Sequence, residues 1–174
     1  MIAKKVYMGR VENFPNMLLG GLWHTTSSNR FQKIIESGYI LPNPPVPDQE
    51  RWGTNQGPDF WPYVRFLGGV SLFDFDGFDP DVYSENYPLS SWREFIPYRR
   101  KWGHSVWIEI NRETIVEGFI SSVMLLAKWK QDEAYRHRIM PYIEAANLRP
   151  IPLVAFSRVF KCGNDTKDFE KVLI

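Results

Sequence analysis

The sequence has few of the residues that form disulfides and transition-metal sites. Its 174 residues include one cysteine, Cys162, and three histidines at separated positions. One cysteine excludes an internal disulfide and a cysteine-rich zinc site, and three dispersed imidazoles give little support to a histidine-based one. We therefore expect no metal centre, and the cysteine content fits a reducing compartment.

The sequence also lacks a charge excess and a long apolar run. It has 21 basic and 20 acidic residues, which leave a net charge of +1. No global field therefore favours nucleic acid or an anionic membrane, and such a partner would need a local patch. No stretch approaches a membrane span, and residues 1–10 show no signal-peptide pattern. We expect a cytoplasmic protein that does not bind membranes.

No glycine motif for nucleotide binding is present. Neither G-x-G-x-x-G nor the P-loop pattern occurs, and no internal repeat is visible. Short predicted strands are separated by a helix in one place and by loops in another, which favours an α+β fold over a regular βαβ series. Because the chain is long enough for one domain with a full core, we predict a single domain over residues 1–174.

Aromatic side chains are abundant, at 16% of the residues. Several lie between residues 42 and 69, a segment with six prolines in which a long regular element is not expected. Long loops in compact domains are usually functional, and the aromatic rings of this one would form the wall or lid of a pocket. The alternative is a packed Ω-loop that only covers the core.

The most informative stretch, residues 22–40, predicts a strand, a capped helix and a glycine stop. Apolar residues at helical spacing begin at Phe31, serine and asparagine precede them as caps, and Gly38 ends the helix. His24 then lies at the end of a strand before a helix N-terminus, where a ligand with phosphate or carbonyl oxygens can bind. The alternative is a histidine satisfied by backbone groups in a small core.

Periodicity and turn residues predict the remaining elements. Strands are expected at 104–110, 142–146 and 153–160, helices at 91–94 and 121–139, and a polar tail after residue 160. Residues 5–8 are compatible with a further short strand. The basic and aromatic cluster from Tyr98 to Trp102 would bind phosphates or nucleic acid, or would be a solvated surface.

Three polar residues in predicted strands, His24, Ser71 and Glu144, have no evident structural reason. Glu144 lies between Ile143 and Ala145 in an apolar segment, where a carboxylate facing a dry core would be costly. Ser71 interrupts a second apolar strand. Either these residues belong to a site, or Glu144 faces solvent on an edge strand.

In order and spacing, these segments resemble the ADP-ribosyltransferase superfamily. His24 with the helix that follows resembles the opening histidine motif, and residues 69–73 resemble the second motif. Residues 106–110 resemble the intervening core strand, and residues 142–144, ahead of a proline-containing turn, resemble the strand that carries the catalytic glutamate. The likeness covers about residues 22–160.

The resemblance implies a split, mostly antiparallel β core flanked by short helices. It also implies cleavage of NAD, used as a substrate, and transfer of ADP-ribose to a nucleic-acid, protein or small-molecule acceptor. His24 would bind an adenosine-ribose hydroxyl, the backbone after it would hold the nicotinamide amide, and Glu144 would bind the nicotinamide ribose and stabilise the developing cation. The implied catalytic residues are Glu144, His24 and Ser71, and the implied NAD-binding residues are His24, Thr25, Thr26, Ser71, Phe73 and Arg99.

The sequence departs from the family pattern at three positions. Thr25 stands where the family has glycine, Ser71 stands where a tyrosine is common, and Tyr142 stands two residues before Glu144, where arginine-modifying toxins have a second acid. The last departure disfavours arginine as the acceptor. An RNA 2′-phosphotransferase ranks second, because its arginine-rich pattern is not evident in the sequence. A catalytically silent nucleotide-binding or interaction module is the alternative from another class.

Overall fold

The computed structural model describes residues 14–163 and 166–174. Its α-helices are α1 (Ser28–Ser37), α2 (Tyr63–Phe66), α3 (Pro80–Asn86) and α4 (Ser122–Gln131). Its strands are β1 (Leu22–Thr26), β2 (Tyr39–Ile40), β3 (Val70–Asp74), β4 (His104–Ile110), β5 (Phe119–Ile120), β6 (Glu144–Asn147), β7 (Ile151–Pro152), β8 (Phe156–Gly163) and β9 (Thr166–Val172). Short 3₁₀ helices occupy several of the connections.

Seven of these strands form one sheet, in the order β5-β6-β3-β1-β4-β8-β9. Neighbouring strands pair antiparallel, and β2 and β7 form a separate antiparallel pair. Short helices flank the sheet, so the predicted α+β fold with a mostly antiparallel β core is confirmed. The order places β1, β3 and β6 side by side, although they are far apart in the chain.

The alternation of side chains in β1 and β4 gives the sheet two different faces. Leu22 and Ile108 belong to a buried aliphatic cluster with α1, while Trp23 and Trp107 belong to a buried aromatic cluster with Phe73. Successive residues of a strand point to opposite faces, so the two clusters lie on opposite sides of the sheet. Much of the aromatic content is therefore core rather than pocket wall.

The predicted β1–α1 unit is confirmed, although β1 continues past His24 to Thr26, so His24 is not at the end of its strand. The hydroxyl of Ser27 caps α1 by accepting from the N–H of Arg30, and Gly38 ends the helix with a φ of +80°. Left-handed backbone of this kind is unfavourable for residues with a Cβ. Because the cap fixes where α1 begins, it also fixes where the short segment after His24 leaves the sheet.

Other predicted elements need correction. The helix predicted at 121–139 ends at Gln131, since Glu133 adopts a φ of +50°. Beyond the helix, Ala134 is buried in the same cluster as Leu125 without being helical. The strand predicted at 153–160 begins only at Phe156.

Two further sequence predictions were wrong, one for the C-terminal tail and one for the helix at 91–94. The expected polar tail contains β9, whose exposed charged side chains suit an edge strand. The capping box at 91–94 is a 3₁₀ helix that begins after Ser90 and has no side-chain cap. The strand considered at residues 5–8 lies outside the described residues.

Candidate functional site

A cavity of about 370 Å³ opens beside the junction of β1, β3 and β6. This volume is within the range typical of small-molecule sites. Its lining includes every site residue predicted from the sequence: His24, Thr25, Thr26, Ser71, Phe73, Arg99 and Glu144. The fold thus brings together side chains that are separated by up to 120 positions in the sequence.

His24 is held in a defined tautomer. Its Nδ1 lies 3.1 Å from the carbonyl oxygen of Ser71 on the neighbouring strand. Because a carbonyl only accepts, Nδ1 must carry the proton, and Nε2 of the neutral ring keeps a lone pair for a ligand. Burial, opposed in part by that hydrogen bond, lowers the pKa of His24 to about 4. The ring is therefore a neutral acceptor at physiological pH.

Glu144 lies on the cavity wall, although its residue is only 2% exposed. Its Oε1 accepts from the hydroxyl of Ser71 at 2.9 Å, and its Oε2 accepts from the N–H of Met140 at 2.9 Å. Burial raises the pKa of Glu144 to about 7, while these two donors work in the opposite direction. The exposed edge position considered above is excluded, because Glu144 begins a strand that is paired on both sides and is buried.

Ser71 connects the two titratable groups. Its carbonyl oxygen accepts from His24, and its hydroxyl donates to Glu144. Ser71 therefore orients the imidazole of His24 on β1 and the carboxyl of Glu144 on β6, from the strand that lies between them. A serine in the middle of an apolar strand was the sequence signal for this arrangement.

The remaining predicted residues line other parts of the cavity. The hydroxyl of Thr25 is buried and, among the described residues, has no hydrogen-bond partner, so it is available to a ligand. Phe73 and Phe95 are packed edge to face with ring centroids 5.4 Å apart, and both reach the cavity. Together they give an apolar surface against which a planar group can pack.

Arg99 is the member of the basic cluster that reaches the cavity. Its guanidinium lies 4.9 Å from the ring centroid of Trp102, which also lines the cavity. Arg100 and Lys101 are exposed and are not among the lining residues. Of the two interpretations of this cluster, the solvated surface fits Arg100 and Lys101, whereas a role for Arg99 in ligand binding stays a prediction.

The proline-rich loop forms one wall, as one of the two sequence interpretations had it. Trp52 and several prolines of the loop line the cavity. The indole N–H of Trp52 donates to Glu94 at 2.7 Å, and its ring packs on Phe95 with centroids 5.4 Å apart. These contacts attach the loop to the 3₁₀ helix at Ser91–Glu94 on the other side of the opening.

Four cationic residues of the cavity were missed by sequence reasoning. Lys33 and Arg30 come from α1, Arg51 comes from the loop, and Arg65 comes from α2. With Arg99 they make five cations, whereas Glu144 is the single acidic residue in the lining. No local motif marks them, because they are spread over three elements that only the tertiary structure brings together.

A scan against protein-family models, a search of curated proteins and a search of solved structures each found no match. Within the described residues, no helix is long and apolar enough to span a membrane.

Proposed function

We propose that the protein is an NAD-dependent ADP-ribosyltransferase. The observation that carries the proposal is the position of Glu144, a buried carboxyl held at both oxygens on the wall of a cationic cavity. Two carboxylate oxygens fixed by Ser71 and Met140 are oriented before a ligand arrives, as electrostatic stabilisation of a transition state requires. The five cations in the lining of the cavity favour an anionic ligand such as a dinucleotide.

The reaction breaks the bond between C1′ of the nicotinamide ribose and the ring nitrogen. The bonding electron pair leaves with neutral nicotinamide, and positive charge develops on the ribose. The carboxylate of Glu144 stabilises that charge and accepts a hydrogen bond from the ribose 2′-hydroxyl. The acceptor then forms its bond to C1′ and loses a proton. A carboxyl with a pKa of about 7 is suited to receive that proton at neutral pH.

The other lining residues bind and orient the dinucleotide. Neutral His24 presents Nε2 as an acceptor for an adenosine-ribose hydroxyl, and the segment after it offers backbone groups and the hydroxyl of Thr25 to the nicotinamide amide. Phe73 and Phe95 supply the apolar surface for the nicotinamide ring. The acceptor is proposed to be a nucleic acid, a protein side chain other than arginine, or a small molecule.

A second candidate function is an RNA 2′-phosphotransferase, which moves a 2′-phosphate from RNA to NAD. It ranked second on sequence because arginines around a site were not evident. Four arginines do line the cavity, which favours this alternative more than the sequence alone does. This candidate stays second because of Glu144. The transfer of ADP-ribose to a phosphate does not require a buried carboxyl beside the ribose.

Product analysis separates the two candidates. The full chain is incubated with NAD and, in turn, with single-stranded DNA, RNA, 2′-phosphorylated RNA or a protein extract, and products are identified by mass spectrometry. A transferase adds the mass of ADP-ribose to an acceptor and releases nicotinamide. A phosphotransferase acts only on the 2′-phosphorylated RNA and removes its phosphate. NAD binding with no product in any mixture would contradict both and leave a silent binding module.

Glu144→Gln and Glu85→Gln form a matched pair for this assay. The carboxamide can accept from Met140 N–H and donate to the Ser71 hydroxyl, so Glu144→Gln keeps both contacts while it removes the charge. Glu85 is exposed on α3 and lies outside the cavity. We expect transfer to be lost in the first variant and retained in the second.

A further inference from the structure

We propose that Arg30, Arg51 and Arg65 form a phosphate-binding subsite at one corner of the cavity. The three residues come from α1, the proline-rich loop and α2, and all three line the cavity. None of them is among the site residues predicted from the sequence.

The partners of these arginines leave positive charge uncompensated. Arg65 forms an ion pair with Asp48, with Nη2 and Oδ1 2.7 Å apart. Arg51 donates to Oδ1 of Asn43 at 3.1 Å, which is a neutral amide oxygen. A half-buried guanidinium with neutral acceptors is not neutralised by them, so its positive charge can attract an anionic ligand.

Arg30, which also lines the cavity, has a similar neutral partner. It donates to the backbone carbonyl of Glu50 rather than to a carboxylate, although the Glu50 charge acts on it at longer range. The three guanidiniums therefore have two carboxylates near them, those of Asp48 and Glu50, and both belong to exposed residues. An anion at this corner would be attracted by all three cations.

The cations also repel one another. Burial, together with the charges of Arg65 and Arg30, lowers the pKa of Arg51 to about 10, with Asp48 opposing them. Like charges held this close are unfavourable without a counterion. A bound phosphate would relieve the repulsion, because its oxygens accept hydrogen bonds from several guanidiniums at once.

Arg65 supplies the most specific feature of the subsite. Its Nη1 is buried and, within the described part of the chain, has no hydrogen-bond partner. The guanidinium carbon lies 3.7 Å from the ring centroid of Trp61, a stacking contact that holds the plane of the fork. A buried donor left without a partner costs free energy, and a phosphate oxygen from the cavity would satisfy it.

The chemistry shared by the candidate ligands is a phosphate group. It could be one of the bridging phosphates of a dinucleotide or a 2′-phosphomonoester on an adenosine ribose. The inference rests on the proposed function only in taking this cavity as the ligand site. It does not depend on NAD being cleaved, so binding and turnover can be tested apart.

The test measures binding to the full chain by isothermal titration calorimetry, with pyrophosphate, ADP, adenosine 2′-monophosphate and uncharged adenosine as probes. We expect Arg51→Gln and Arg30→Gln each to weaken binding of a phosphate probe about tenfold or more, while adenosine is unaffected. Arg136→Gln is the control, since Arg136 is exposed and outside the cavity. If the two arginine variants bind ADP more weakly, the subsite is assigned to the bridging phosphates of a dinucleotide. If only the binding of adenosine 2′-monophosphate is weakened, the subsite is assigned to a 2′-phosphomonoester.

Several results would overturn the subsite. Phosphate probes that bind both arginine variants as tightly as wild type would do so, as would a wild type that binds adenosine but no phosphate probe. Thermal unfolding of each variant without ligand checks that the loop remains folded, and the two variants act from different elements, so both are not expected to fail for one reason. If phosphate binds as proposed and NAD is not consumed, only the proposed catalytic function fails.

Discussion

The hydroxyl of Ser71 donates to Oε1 of Glu144 over 2.9 Å, from a neighbouring strand of the sheet. This bond favours the carboxylate against the burial that raises the pKa of Glu144. Removing it in Ser71→Ala is expected to raise that pKa further. Under the proposed mechanism, the acid limb of the pH–rate profile for nicotinamide release would move to higher pH.

The control for this prediction is Ser71→Thr, which keeps a hydroxyl on the same strand. It should restore the wild-type acid limb, because the donor rather than the small side chain sets the shift. An unchanged limb in Ser71→Ala would mean that this hydrogen bond does not control the ionisation of Glu144.

Glu144 also makes folding stability depend on pH. Its pKa is raised from 4.5 to about 7 in the folded protein, so between these values the folded state binds the proton more tightly than the unfolded state. Its contribution is fully present below pH 4.5 and is lost as the pH rises through about 7, by roughly 3 kcal/mol. Urea unfolding of wild type and Glu144→Gln between pH 5 and 8 measures it.

The difference between the two proteins is the informative quantity. His24 has its pKa lowered to about 4, so its contribution has the opposite sign and is lost as the pH falls. The contribution of His24 is the same in wild type and in Glu144→Gln, so it cancels in the difference between their free energies of unfolding. The free energy of unfolding of Glu144→Gln relative to wild type should rise with pH, and a constant difference would show that Glu144 ionises normally.

The neutral ring of His24 is expected to contribute to NAD binding more than to bond cleavage. His24→Ala removes the Nε2 acceptor, and loss of one such hydrogen bond should raise KM for NAD about tenfold, with a smaller change in kcat. Steady-state kinetics of nicotinamide release would show this. A large fall in kcat at unchanged KM would instead place His24 at the reacting bond.

Gly38 provides a test of the fold that is independent of function. Its φ of +80° is unfavourable for alanine, although no atom within 4 Å would obstruct a Cβ. Gly38→Ala should therefore destabilise the protein by about 1 kcal/mol through backbone strain alone. Thermal or urea unfolding measures it, with Asn29→Ala at an exposed position of α1 as the control. Equal stability of the two variants would contradict the strained geometry.

Local signals in the sequence were sufficient for much of the fold. The alternation of apolar residues from His104 to Ile110 predicted β4 with its observed ends, and Gly38 predicted the end of α1. Such features depend on neighbours in the chain. The end of α4 was predicted too late, because the left-handed backbone at Glu133 has no signal in the sequence pattern.

The residues of the site also fall into those that local sequence signals reveal and those that only the tertiary structure reveals. His24, Ser71 and Glu144 were found because each is a polar residue in an apolar strand, and that anomaly is visible locally. Arg51 and Arg65 were not found, because an arginine in a loop or a short helix is ordinary until the fold turns it toward a cavity. The charge of the site therefore belongs to the tertiary structure, whereas the polar centre belongs to the strands.

The central claim is that Glu144 supports cleavage of NAD in this cavity, and release of nicotinamide tests it most directly. Wild type, Glu144→Gln and Glu85→Gln are incubated with NAD, with and without nucleic acid and protein extract, and nicotinamide is quantified by chromatography. The account predicts release by wild type and Glu85→Gln and a loss of at least a hundredfold in Glu144→Gln, on the order expected when a transition-state stabilising group is removed. Equal release by all three, or no release and no NAD binding by wild type, would contradict it.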